Sequence, residues 1–195
     1  PYMLPAGPDA LDLVLSEGGV AAGTAVTLTT SLNDTRFNNQ NGSEPTQAIQ
    51  AGELYVDTPP WEAGAVAVAL TAVDGNFNSP IETGRGVIDT SGLAVGQHTV
   101  FVRGQDALGN WGPVSAIFLY VLDPAVSPTI GGQVTAADSG LPLAASLETD
   151  GPFRTTTNPV TGLYEMQVIS GTYALTAVPE SADYAPQSVL VTAVD

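Results

Sequence analysis

The sequence predicts an all-β chain of two tandem β-sandwiches, and three observations carry that reading. Apolar and polar residues alternate at period two in one short stretch after another, with Gly, Pro, Asn or Asp between them about every 8–12 residues. No segment of helix length shows an apolar stripe at the 3.6-residue period. After the stretch DPAVSPT, from Asp123 to Thr129, the pattern starts afresh. The expected division is a lead-in over 1–9, a sandwich over 10–123, a linker over 124–128 and a smaller sandwich over 129–195.

The elements follow in order. Leu11–Leu15 and Ala25–Ser31 read as strands; in the second, Val26 and Leu28 alternate with Thr27 and Thr29. Leu32–Thr46 is a polar loop, LNDTRFNNQNGSEPT, of a length that usually carries function or an ion. Ala48–Asp57 returns to strand character. Thr58-Pro59-Pro60-Trp61 must leave the sheet, because proline has no N–H for a ladder. Gly64–Val73 alternates as a strand, Asp74–Glu82 (DGNFNSPIE) is a second turn-rich loop, and Gly86–Asp89 is a short strand. The clearest signal is Gly96–Val121, a hairpin whose strands are joined through the turn cluster DALGN. A hairpin this apolar needs a second sheet over its buried face. In the second half, strands are expected at Ile130–Thr135, Ala144–Thr149, Phe153–Thr157, Leu163–Ile169, Thr172–Val178 and Ser188–Val194.

Composition excludes several functions. Apolar content of 44% is enough to bury cores and argues against disorder. The 20 acids face 4 basic residues, all arginine, for a net charge of -16. Neither nucleic acid nor an anionic membrane surface suits such a chain, since both need basic stripes. No apolar run is long enough for a membrane span. The absence of cysteine fits a bacterial exported protein or a cytosolic one, and the high Thr, Ala, Val and Gly content without lysine favours export. Beginning at Pro1 rather than Met, the chain reads as a piece of something longer.

Catalytic chemistry is narrowly bounded. His98 is the only histidine, so no zinc site built on two His and a Glu can form here. No thiol supports a Cys-His pair, and neither a P-loop nor G-x-S-x-G is present. His98 alternates with valines and reads as a core or corner histidine with one hydrogen-bond partner. Paired carboxylates of a glycosidase are allowed by residue type, but nothing pairs them.

Two candidate sites remain. Hard cations want several oxygens from one loop. Asp74, Asn76 and Asn78 with Glu82 supply them at alternate positions, and Asp34 with Asn38, Asn39 and Asn41 could add to them, so structural Ca2+ is the expected cofactor. The competing reading is that Asx-rich loops simply make Asx turns. Asp106 and Asn110 read as turn-formers before ligands. Arg36 and Arg103 are expected to pair with carboxylates such as Asp57 or Asp106. The second candidate is aromatic: Trp61, Trp111 and Tyr55, with Phe77, would form a stacking platform for a sugar ring or a groove for a peptide if they lie bare. Against it, Trp111 could fold over the hairpin and Trp61 could staple the Pro-Pro loop to the sheet.

Two blocks resemble known families. The first, LNDTRFNN…NGSEPTQAI…ELYVDTPPWEAG…DGNFNSPIE…DTSGLAVGQHTVFVRGQDALGNWGPVSAIFLYV, resembles the immunoglobulin-like domain, of immunoglobulin/fibronectin type III type, that follows the catalytic domain in some secreted bacterial zinc carboxypeptidases and related proteases. Its Leu93–His98 run resembles the corner before the penultimate strand of such domains. The second, IGGQV, SGLPL, TNPVTGLY and GTYALT in order, is similar to the carboxypeptidase regulatory-like domain, a smaller transthyretin-like sandwich. Cousins of that domain carry lysine-to-asparagine crosslinks, which a chain without lysine cannot make. The resemblance implies a non-catalytic C-terminal accessory region of a secreted or surface-bound bacterial hydrolase. Its parent catalytic domain would lie upstream, and its role would be spacing, stabilising, or targeting a polysaccharide or protein substrate. The alternative is a glycan-binding or adhesive module of a bacterial surface protein.

Overall fold

In a computed structural model the chain is described over residues 7–35 and 46–194. Among the described residues there is no helix, and hence none to cross a membrane. The first nine strands are β1 (Asp9–Leu15), β2 (Gly19–Ala21), β3 (Val26–Asn33), β4 (Ile49–Val56), β5 (Val68–Ala69), β6 (Thr71–Ala72), β7 (Ile81–Ile88), β8 (Gly96–Asp106) and β9 (Ser115–Leu122). Six more follow: β10 (Thr129–Gln133), β11 (Ala145–Thr149), β12 (Arg154–Thr156), β13 (Leu163–Gln167), β14 (Gly171–Pro179) and β15 (Gln187–Ala193).

The chain divides into two units that are not contiguous in sequence. One gathers Pro1–Ser16, Thr24–Thr90 and Gln97–Leu119; the other gathers Glu17–Gly23, Ser91–Gly96 and Tyr120–Asp195. The strand β9 begins in the first and ends in the second.

In the first unit one sheet has the order β1-β3-β7-β6, and β9-β8-β4-β5 forms the other. Their inner faces bury Val26, Leu28, Leu32, Leu54, Ile88, Val100 and Val102. Alternation decides which side chains go inward: along β8, His98, Val100, Val102, Gly104 and Asp106 are buried while the odd-numbered positions face out. The DALGN turn closes this strand as a turn-former should. The Oδ1 of Asp106 accepts the N–H groups of Leu108 and Asn110 at 2.9 and 2.8 Å, and its Oδ2 accepts Asn110 Nδ2 at 2.8 Å.

Two expectations need correction. The alternating stretch Gly64–Val73 is not one strand. β5 pairs with β4 and β6 pairs with β7, so the chain changes sheet at Leu70. The reason is packing. Leu70 is buried, and its methyl groups fill the space left by Gly52 on β4 and by Gly84 and Gly86 on β7; a Cβ on any of the three would stand 2.7–3.1 Å from them. Val66, Val68 and Val73, which produced the alternation, are exposed. The second correction is β7, which starts at Ile81, inside the stretch expected to be a loop. Its inward residues are Glu82, Gly84, Gly86 and Ile88, of which only the last is hydrophobic.

In the second unit β2 runs parallel to the end of β9, with Gly19 opposite Tyr120. β10 pairs with β13, and the larger sheet has the order β12-β11-β14-β15. Leu122, Ile130, Leu147, Phe153, Met166, Val168, Tyr173 and Leu175 form its core. The turn after Asn158 is held by Asn158 Oδ1, which accepts N–H from Val160 and Thr161 at 2.9 and 3.2 Å.

Candidate functional site

The outward side chains of β4 and β8 stand in register: Tyr55 opposite Phe101, Glu53 opposite Arg103, Ala51 opposite Gln105. Arg103 organises them. Its Nε and Nη2 donate to Glu53 Oε1 at 2.9 and 2.7 Å, and Nη2 also donates to Tyr55 Oη at 3.0 Å. Its guanidinium carbon lies 5.5 Å from the centre of the Tyr55 ring and 4.1 Å from that of Trp111, a cation–π distance for both. The bridge between Gln105 and Trp111 sets the indole there. At the other end Trp61 meets Phe101 edge-on, with centroids 6.2 Å apart and planes at 66°.

These contacts sort the aromatic candidates. Tyr55 is only 5% exposed. Burial strips water from its phenolate and pushes its pKa above the ordinary value, as does its hydrogen bond to Glu53, while Arg103 pulls the other way. Trp111 is half-buried, with a face taken by Arg103. Trp61 alone is open, at 68% exposed. Phe77 is brought into none of these ring contacts. The expected partners of Arg103, Asp57 and Asp106, are replaced by Glu53. Glu53 is the cross-strand neighbour on the outward face, whereas Asp106 lies on the inward side of β8.

The oxygen-rich loops meet at one end of the first unit. Asp34 N–H donates to Pro80 O and Ile49 N–H to Ser79 O, both at 2.8 Å. Their carboxylates, however, face their own backbones. Glu82 Oε1 accepts the N–H groups of Asn78 and Ser79 at 2.9 and 2.7 Å. Asp74 Oδ1 accepts Asn76 N–H at 3.3 Å, an Asx turn, and Asp34 Oδ2 accepts Gln47 N–H. Asn78 Oδ1 accepts from Ser79 Oγ at 3.2 Å. Among the described residues no group of three or more His, Asp and Glu side chains is placed to hold a metal ion. Asn38, Asn39, Asn41 and Arg36 lie outside the described residues.

His98 is buried on the inward side of β8, with Nδ1 2.7 Å from Asp57 Oδ2. The other oxygen, Asp57 Oδ1, accepts Thr99 N–H at 3.0 Å. Asp57 holds a left-handed φ of 61°, which Asp tolerates better than most residues. It thus ends β4 and anchors β8 at once. Glu53 and Phe101 were not singled out from sequence, and Asp57 was expected to pair with an arginine rather than with His98. Parity on two paired strands groups the first two, but only once the register is known.

No family model matches the chain, and no curated protein does. Solved structures resemble it distantly. Dimeric latent PorU from Porphyromonas gingivalis is 14% identical over 96% of this chain and 20% of its own, with a TM-score of 0.37. The fibronectin(III)-like modules of Clostridium thermocellum CbhA are 13% identical over 93% of both chains, at 0.31. Domains D2 and D3 of the major pilin SpaD from Corynebacterium diphtheriae are 10% identical over 93% of this chain and 88% of theirs, at 0.31. The chain therefore spans about a fifth of the first of these.

Proposed function

We propose that the chain is a non-catalytic accessory region of a secreted or surface-bound bacterial protein, and that its first sandwich binds a polysaccharide on the outward face of β4 and β8. The observation that carries this is Trp61. A large ring left 68% open, yet braced edge-on by Phe101, presents a flat apolar plate at low entropic cost. The Glu53–Arg103–Tyr55–Trp111 cluster beside it stiffens the sheet under that plate. Sugar rings stack on such surfaces through their C–H faces and need no charge, which suits a face whose cation is already neutralised.

The test is affinity electrophoresis of the chain and of Trp61→Ala in gels carrying soluble polysaccharides, with pull-down on insoluble ones. Retardation that falls about tenfold in Trp61→Ala, with an unchanged melt, is the expected outcome; that is about 1.4 kcal/mol, the scale of one aromatic stack. Equal mobility of the two proteins across all polysaccharides removes the binding role and leaves a spacer. The parent we infer is a hydrolase of the zinc carboxypeptidase or related protease type. Support for this comes from the two sequence blocks. A full-length protein without a His and Glu zinc set outside this stretch would overturn it.

A further inference from the structure

β15 is the outermost strand of its sheet and has β14 on one flank only, among the described residues. Its seven residues, QSVLVTA, include no charge and no proline, and its register with β14 runs without a bulge from Gly171 opposite Ala193 to Ala177 opposite Gln187. Charges, prolines and bulges are the devices that normally blunt a sheet edge. Val189 and Leu190 are 59% and 74% exposed.

The direction of the edge's polar groups follows from β14. Ala174 O accepts the Asp150 N–H at 3.1 Å, and Ala174 N–H donates to Asp150 Oδ1 at 3.0 Å. Both groups point away from β15. Ala174 and Leu190 are thus a non-hydrogen-bonded pair, and Leu190 turns its N–H and C=O to the open side. At period two, Ser188 and Thr192 do the same. Their hydroxyl contacts agree, because side chains approach more closely in such pairs: Thr172 and Thr192 Oγ1 are 3.0 Å apart, and Thr176 Oγ1 and Ser188 Oγ are 2.8 Å apart.

We infer that β15 is a self-association edge, where a second copy of this chain adds its own β15 antiparallel about a two-fold axis at Leu190. Centred there, Leu190 faces Leu190 of the second copy, Ser188 faces Thr192, and Val189 faces Val191. Hydroxyl meets hydroxyl and apolar meets apolar. Every outward-pointing residue meets another, as a ladder requires. Moving the axis to Val189 would set Thr192 against Pro186, which has no N–H to give. Charge selects the occupant. Copies carrying a net charge of -16 repel each other, and an uncharged strand is where two of them can approach most closely. A basic partner would seek the acids instead. Salt should therefore strengthen the pairing by screening the repulsion.

Sedimentation equilibrium of the whole chain across a concentration series, at low and high salt, tests this. The expected result is a doubling of mass with concentration, favoured by salt. Leu190→Lys sets two like charges opposite each other at the axis and should return the mass to that of one copy. Because the side chain is exposed, the melt should stay at the wild-type value. Ser188→Pro, a second variant, deletes an outward N–H without removing a backbone bond to β14, at the cost of the hydroxyl contact with Thr176, and should also weaken the pairing. A single-copy mass at every concentration and salt overturns the inference. So does a dimer that survives both substitutions, or one that salt dissociates.

Discussion

Glu53 and Arg103 are each largely shielded from water, with 15% and 21% of the side chain exposed, and both also shape Tyr55. A shielded pair with shared hydrogen bonds responds differently to the loss of each partner. Glu53→Gln keeps the shape but removes the charge that Arg103 needs, so stability should fall by about 1–3 kcal/mol in urea unfolding. The same change should bring the Tyr55 pKa down, because Glu53 is a cause of its elevation. Ultraviolet titration of the phenolate reads this directly. Burial likewise raises Tyr164 and Tyr173, which fixes the sign of the alkaline response. Below about pH 10 tyrosines are neutral in both states and stability is full. Above it the unfolded chain ionises first, so stability falls as pH rises through the higher folded-state values. A melt that is flat or rising above pH 10 would contradict the burial of these rings.

At the scale of elements, Leu70 shows how one side chain redirects a strand. It spans the gap that three glycines open in two sheets, so Leu70→Ala should leave a cavity and cost about 2–5 kcal/mol in denaturant unfolding. A loss under about 1 kcal/mol would mean that the sheets close over the site. This is also where sequence reading reached its limit. β3 was readable because Val26, Leu28 and Leu32 fall at alternate positions, and β14 because Tyr173, Leu175 and Ala177 alternate with Thr172, Ala174 and Thr176. The first half of β7 was not, because its inward positions are Glu82, Gly84 and Gly86, and a glycine that makes room for a neighbour's leucine looks like a turn; only its end, within Gly86–Asp89, was expected as strand. The candidate site divides in the same way. Trp61 and Tyr55 stood out as aromatics near prolines. Their grouping with Phe101 and Arg103 depends on the register of β4 against β8, whose Glu53 and Arg103 lie 50 residues apart. No local pattern encodes that.

For the whole molecule, two oxygen-rich loops suggested calcium. Among the described carboxylates, Glu82, Asp74 and Asp34 each hold a backbone N–H at the joined ends of loops. Chelation with EDTA decides whether these loops also hold the expected calcium: an unchanged thermal midpoint leaves their carboxylates as loop ties alone. A saturated structural site would instead stabilise by about 2.7 kcal/mol, and its removal would lower the midpoint by several degrees. The interleaving of the two units bears on how the protein is made. Ribosomes deliver a chain from its N-terminal side onward, and domains usually fold as they emerge. Residues 17–23 and 91–96 leave the tunnel long before Tyr120–Asp195, with which they cluster. They must wait for their partners in the second unit while the first gathers Thr24–Thr90. The second unit is thus a late-folding body whose earliest pieces are its oldest, and the interval before its last strands emerge is when a chaperone would find it.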